Sequence, residues 1–169
     1  MRVGGFPDHR TTLKDKRILV VEDESLVAML VEEGLLDAGA KVVGPAASVE
    51  EALRLIEWVA LDGGLNAAVL DLDLNGKAVS PVADRLASLG VPFLFATGYG
   101  EGCDTGGHAV PILHKPYAPD LLITTLEALA SAGPDAGARP GRAPDGGVAG
   151  PDPSPLPRSA PASGRAERA

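Results

Sequence analysis

Four apolar runs in this 169-residue chain each lead into a residue able to do chemistry. Ile18–Val21 runs into Glu22-Asp23, Ala67–Leu70 into Asp71, Val91–Ala96 into Thr97, and Val110–His114 into Lys115. Brought together, these would place three carboxylates, a hydroxyl and an amine at one site. Carboxylates within about 4 Å of one another repel by several kcal/mol at an effective dielectric of ~20. Such a cluster shares a proton or binds a hard divalent cation, and Mg²⁺ is the usual ion where oxygen ligands also handle phosphate. A carboxylate held there is a competent nucleophile toward phosphorus, giving an aspartyl phosphate. The transferred group carries negative charge on three oxygens, and Lys115 and Thr97 are suitable partners for them by type. Taken singly, Asp71 and Asp73, followed by the turn residues Asn75-Gly76, are equally well explained as turn and cap residues.

Convergence depends on the elements. Arg17–Val21 reads as a first strand, and Ser25 opens a helix with an apolar stripe through Leu26, Met29, Leu30 and Leu36 that stops at Gly39. Lys41–Gly44 is a short second strand. Ser48 and Glu51, three residues apart, form a capping box for a helix carrying Ala52, Leu55, Ile56 and Val59. Ala67–Leu70, bounded by Asp62-Gly63-Gly64 and by turn residues, suits a strand buried on both faces. Pro81 belongs in the first turn of the next helix, which runs through Val82, Leu86 and Leu89 to Gly90. Val91–Ala96 and Val110–His114 are the fourth and fifth strands. Between them, five glycines from Gly98 to Gly107 disfavour a helix by about 1 kcal/mol each relative to alanine. Pro119-Asp120 opens the last helix, with Leu121, Leu122, Thr125, Leu126 and Leu129 expected on its inner face. Strands alternate with helices throughout, so an α/β fold with a parallel sheet covered on both faces is predicted. All the candidate residues then lie at one edge, where open α/β sheets bind ligands.

Residues 1–15 show no periodicity and read as a flexible leader. Residues 132–169, mostly Ala, Gly, Pro and Arg, contain too few large apolar residues to order themselves. A net charge of −8 argues against a nucleic-acid partner. No run reaches transmembrane length and no signal peptide is evident, which gives the expectation of a cytoplasmic protein without membrane contact. Cys103, the single cysteine, is read as an incidental thiol. His9, His108 and His114 are not at metal-ligand spacing.

The stretches ILVVED (Ile18–Asp23), AVLDLDL (Ala68–Leu74), FATG (Phe95–Gly98) and HKP (His114–Pro116) together resemble the receiver domain of two-component response regulators, over residues 16–131. The resemblance implies a CheY-like, flavodoxin-like doubly wound sheet of five parallel strands in the order 2-1-3-4-5. It makes Asp71 the phosphoacceptor and gives Mg²⁺ the ligands Asp23, Asp71, Glu22 (through water) and the backbone carbonyl of Asp73. Thr97 and Lys115 would contact the phosphoryl oxygens, and a small Gly98 would leave room beside them. Phe95–Tyr99 is similar to the FATGY-type receivers, mostly single-domain proteins, in which the fourth helix is short or missing. Ile112 stands where many receivers carry a switch aromatic, and Tyr99 is a candidate to replace it. The implied function is a stand-alone response regulator, not an enzyme in its own right. Its partners would be a sensor histidine kinase and an unknown downstream protein, with the chain a monomer or weak dimer, or else a phosphate sink. The Asp73 carboxylate is a candidate to tune hydrolysis of the phosphoryl group.

The main rival is a haloacid-dehalogenase-like phosphatase using Asp71 as nucleophile, since Asp71-x-Asp73, Thr97 and Lys115 fit that order too. Its acidic pair would follow the lysine, whereas Glu22-Asp23 precede Asp71 here.

Overall fold

The computed structural model describes residues 12–98 and 104–132. The expectations for Tyr99 and Cys103, for residues 1–11 and for residues 133–169 lie outside the described residues.

Five parallel strands form the main sheet: β1 (Arg17–Val21), β2 (Lys41–Ala46), β3 (Ala67–Asp71), β6 (Phe93–Thr97) and β7 (Ile112–His114). Their spatial order is β2-β1-β3-β6-β7, the 2-1-3-4-5 order of a flavodoxin-like receiver fold. A separate antiparallel pair, β4 (Asp73–Leu74) and β5 (Lys77–Ala78), follows β3 directly. The central strands β3 and β6 are buried along their whole length, as continuous apolar runs require when helices cover both faces. Alternate residues feed two cores. Leu19, Val21, Leu70, Phe93 and Phe95 pack with α2 (Val49–Ala60) and α3 (Ser80–Ser88). Ile18, Val20, Val69, Leu94 and Ala96 pack with α1 (Ser25–Asp37) and α4 (Pro119–Ser131). Among the described residues no helix lies between β6 and β7, in accord with the glycine-rich sequence there.

The caps behave as their residue types require. Ser48 Oγ accepts from Glu51 N–H at 3.1 Å, while the Glu51 carboxylate accepts from Ala47 N–H at 3.0 Å. Pro81 occupies the first turn of α3. Strand β2 continues past the expected Gly44 through Pro45 to Ala46, which a sheet edge tolerates. Gly44 has φ +100°, and a Cβ there would sit 2.8 Å from both Ala46 N and Val20 O. Gly44→Ala is therefore expected to destabilise the fold by about 2 kcal/mol or more, read as a lower urea midpoint at unchanged slope.

Three packing expectations need correction. In α1 the buried residues are Ala28, Val31 and Leu35, while Leu26, Met29, Leu30 and Leu36 are exposed. This helix is apolar on more than one face, so periodicity alone does not choose the buried side, and the slimmer face lies on the sheet. In α4 the buried residues are Leu122 and Leu126, and Leu121 is exposed. Leu13, within the stretch read as leader, is fully buried, and its N–H donates to Ala38 O at 3.1 Å. No helix of the described residues is long and apolar enough to cross a membrane.

Candidate functional site

Because the sheet is parallel, its C-terminal edge collects the ends of β1, β3, β6 and β7. Backbone ladders continue one residue past the strands and hold the site residues in register. Glu22 N–H donates to Ala46 O at 2.9 Å, and Lys115 N–H donates to Thr97 O at 2.7 Å. Asp71 is the last residue of β3, paired across to Ala96, so Thr97 follows immediately on the neighbouring strand.

Among the described residues, the only buried polar or charged ones are Glu22 (5% exposed), Asp71 (7%) and Thr97 (1%). Carboxylates are almost never buried unless paired. Here the partner is Lys115, whose Nζ lies 2.6 Å from Glu22 Oε2 and 3.2 Å from Asp71 Oδ2. Backbone donors hold the remaining oxygens. Glu24 N–H donates to Glu22 Oε1 at 3.1 Å and Asp73 N–H to Asp71 Oδ1 at 3.1 Å. Asn75 N–H donates to Asp23 Oδ2 at 3.1 Å.

Burial pushes the Glu22 carboxyl up to about 7, against the hydrogen bonds from Lys115 and Glu24 N–H. For Lys115, burial works against the charge, but Glu22 and Asp71 outweigh it and hold the ammonium above its ordinary range.

Glu22, Asp23 and Asp71 each offer an oxygen within 4.8 Å of the others. At that spacing each pair repels by about 3 kcal/mol at a dielectric of ~20. Lys115 offsets one of three formal charges, and the excess that remains matches a divalent cation. The all-oxygen donor set suits Mg²⁺. The residues present therefore fit the ion that the sequence implies.

A cavity of about 400 Å³ opens over these groups, bordered by Asp23, Glu24, Asp73, Asn75 and Gly98. Gly98 also borders a second, mostly apolar groove of about 670 Å³ between α1 and α4, as do Glu24 and Lys115. Among the described residues, a Cβ on Gly98 would meet nothing within 4 Å. The Asp73 carboxylate accepts from Gly76 N–H at 2.7 Å and sits in the turn at the cavity rim.

All the residues expected at the site thus gather at one edge. Sequence reasoning missed the three backbone donors and the pair between His108 Nε2 and Asp84 Oδ1 at 2.7 Å, which ties the segment before β7 to α3. The donors could not have been read from residue type, since any non-proline residue supplies an N–H. His114 is exposed on β7.

No family model matches the chain. It is 33% identical over 104 residues to the phyllosphere-induced regulator PhyR of Methylorubrum extorquens, covering 60% of this chain and 39% of that protein. A response regulator receiver protein from Sinorhizobium medicae superposes with a TM-score of 0.60 at 26% identity, covering 71% of this chain and 98% of that one. The anti-anti-sigma factor PhyR of Bartonella quintana superposes with a TM-score of 0.56 at 26% identity, over 69% of this chain and 47% of that one. The chain thus spans less than half the length of the PhyR proteins it matches, and nearly all of the Sinorhizobium receiver. Strand order, the gathered acidic edge and these similarities agree: the described part of the chain has the fold of response regulator receiver domains and is similar to them in sequence.

Proposed function

We propose that this protein accepts a phosphoryl group from a phosphohistidine of a sensor histidine kinase, with Asp71 as the acceptor. The observation that carries this reading is the setting of the Asp71 carboxylate. It is buried at the end of β3, with Asp73 N–H on one oxygen, Lys115 on the other, and two further carboxylates in reach. In the transfer an Asp71 oxygen forms a bond to phosphorus as the bond from phosphorus to the histidine nitrogen breaks. The electron pair of that bond returns to the imidazole. Asp23, Asp71 and the Asp73 carbonyl would hold Mg²⁺ directly and Glu22 through water, and the ion would supply neutralisation of the developing charge. Lys115 leaves its carboxylate partners to pair with a phosphoryl oxygen, and Thr97 donates to another.

Support for a protein partner comes from the apolar groove between α1 and α4, which shares Glu24, Gly98 and Lys115 with the acceptor cavity. Leu30, which lines the groove, is 64% exposed, and Leu26 is an exposed apolar residue of the same helix. Output then proceeds by contact with a downstream protein, or the chain serves as a phosphate sink. The Bartonella relative is named an anti-anti-sigma factor, and signalling by protein contact is the part of that role a receiver could share. The only reactions assigned to the chain are its own phosphorylation and dephosphorylation, in the cytoplasm. Against the phosphatase alternative, Glu22-Asp23 supply the acidic pair from before Asp71 and not from after Lys115.

Incubation with Mg²⁺ and acetyl phosphate, followed by intact mass measurement, is expected to show one phosphoryl adduct that Asp71→Asn abolishes. An adduct of equal yield in Asp71→Asn, or none in the parent protein, would overturn the reading.

A further inference from the structure

The short hairpin β4–β5 lies outside the main sheet, yet it touches the site twice. Its turn residues Asn75 and Gly76 have φ +53° and +80°, the consecutive left-handed conformations of a tight two-residue hairpin turn, for which Asn-Gly is the favoured pair. Leu74 anchors the hairpin in the core, fully buried, and Lys77 Nζ meets Glu50 Oε1 on α2 at 3.1 Å. From this frame Asp73 N–H donates to Asp71 Oδ1, and Asn75 N–H donates to Asp23 Oδ2 across 52 positions of sequence. Gly76 N–H closes the turn on the Asp73 carboxylate.

We infer that the Asn75-Gly76 turn is a positioning device for the ion ligand Asp23. This inference rests on the phosphoacceptor reading and extends it to residues that touch neither the ion nor the phosphoryl group. Hydrogen bonds from N–H groups to a carboxylate are among the stronger ones. By committing Oδ2, the Asn75 N–H fixes the rotation of the Asp23 side chain and leaves Oδ1 for a cation. Asp73 of the same hairpin fixes Asp71, so the hairpin sets the separation between a ligand of the ion and the phosphoacceptor. Without it, Asp23, which is only half-buried, would be free to swing toward solvent and away from two like charges. Groups that hold a metal ligand in place typically contribute about ten- to a hundredfold to affinity.

Three variants of the full chain separate backbone geometry from side chain. Asn75→Pro deletes the N–H and locks φ near −65°, incompatible with +53°. Gly76→Val strains the turn through its φ of +80°, since among the described residues a Cβ there would meet nothing within 4 Å. Asn75→Gly keeps both the donor and the conformation. Titration calorimetry with Mg²⁺ is expected to show roughly tenfold or greater weakening for the first two. Asn75→Gly is expected to stay within about twofold of the parent protein. Circular dichroism and the melting transition in EDTA establish that each variant keeps the sheet. If Asn75→Pro does not fold, Gly76→Val carries the comparison. Parent-like affinity in folded Gly76→Val overturns the inference, and so does an Asn75→Gly as weak as Gly76→Val, which would place the effect in the asparagine side chain. Those results leave the phosphoacceptor reading intact. A parent protein that binds no Mg²⁺ overturns both.

Discussion

Lys115→Met is expected to lower the melting temperature of the chelated protein by about 10 °C near pH ~8, and by less than half of that near pH ~5.5. Lys115 is the cation beside two buried carboxylates, at 2.6 and 3.2 Å, and removing one partner of such a cluster leaves uncompensated charge. Breaking a buried pair in this way typically costs about 3–5 kcal/mol. The cost here is limited because Glu22, already pushed up to about 7, can take a proton instead. Without the Lys115 hydrogen bond, which holds it down, Glu22 takes the proton more readily still. That escape is open at pH ~5.5 and grows less favourable as pH rises, which is why the loss depends on pH. Saturating Mg²⁺ supplies a replacement charge and should recover most of the loss. A small loss of equal size at both pH values would mean that Lys115 is not the cation balancing this site.

The second large effect is the response of the parent protein to pH and Mg²⁺. The folded Glu22 carboxyl titrates near 7, above its ordinary 4.5. The folded state therefore binds a proton that the unfolded state has lost across this window. The stability so contributed is present in full below about 4.5 and is lost as pH rises through about 7. Lys115 moves in the same sense, but above its ordinary 10.5, outside the window. Chelated protein is accordingly expected to melt at lower temperature near pH ~8 than near pH ~5.5. On the proposed reading Mg²⁺ binds the folded state through deprotonated ligands, so the stabilisation it gives should grow over the same range. Differential scanning calorimetry with EDTA and with Mg²⁺ checks both statements. Melting temperatures that do not diverge as pH rises would contradict the geometry assigned to Glu22.

Sequence carried much of this because the chemistry sits at strand ends, where apolar runs stop abruptly. Glu22, Asp71, Thr97 and Lys115 could be placed at a common edge once the runs were recognised as parallel strands. Helix faces were less legible. In α1, Leu26, Met29 and Leu30 have the spacing of a core stripe, and only packing shows that Ala28, Val31 and Leu35 form the contact with the sheet. The hairpin was half legible. Asn75-Gly76 marks a turn, but strands of two residues are too short to show alternation. The contact between Asn75 and Asp23 joins elements separated by two helices and two strands. Leu13 escaped notice because one buried residue in a charged, aperiodic segment leaves no pattern.

The central claim is that Asp71, and not its neighbours, receives the phosphoryl group. Reduction of the acetyl-phosphate-treated protein with borohydride converts an acyl phosphate to an alcohol and marks the carboxylate that carried it. Peptide mapping of the reduced protein is predicted to find homoserine at position 71 and unmodified aspartates at 23 and 73. Homoserine at position 23 or 73, or none at 71 in protein shown to carry the adduct, would contradict the account.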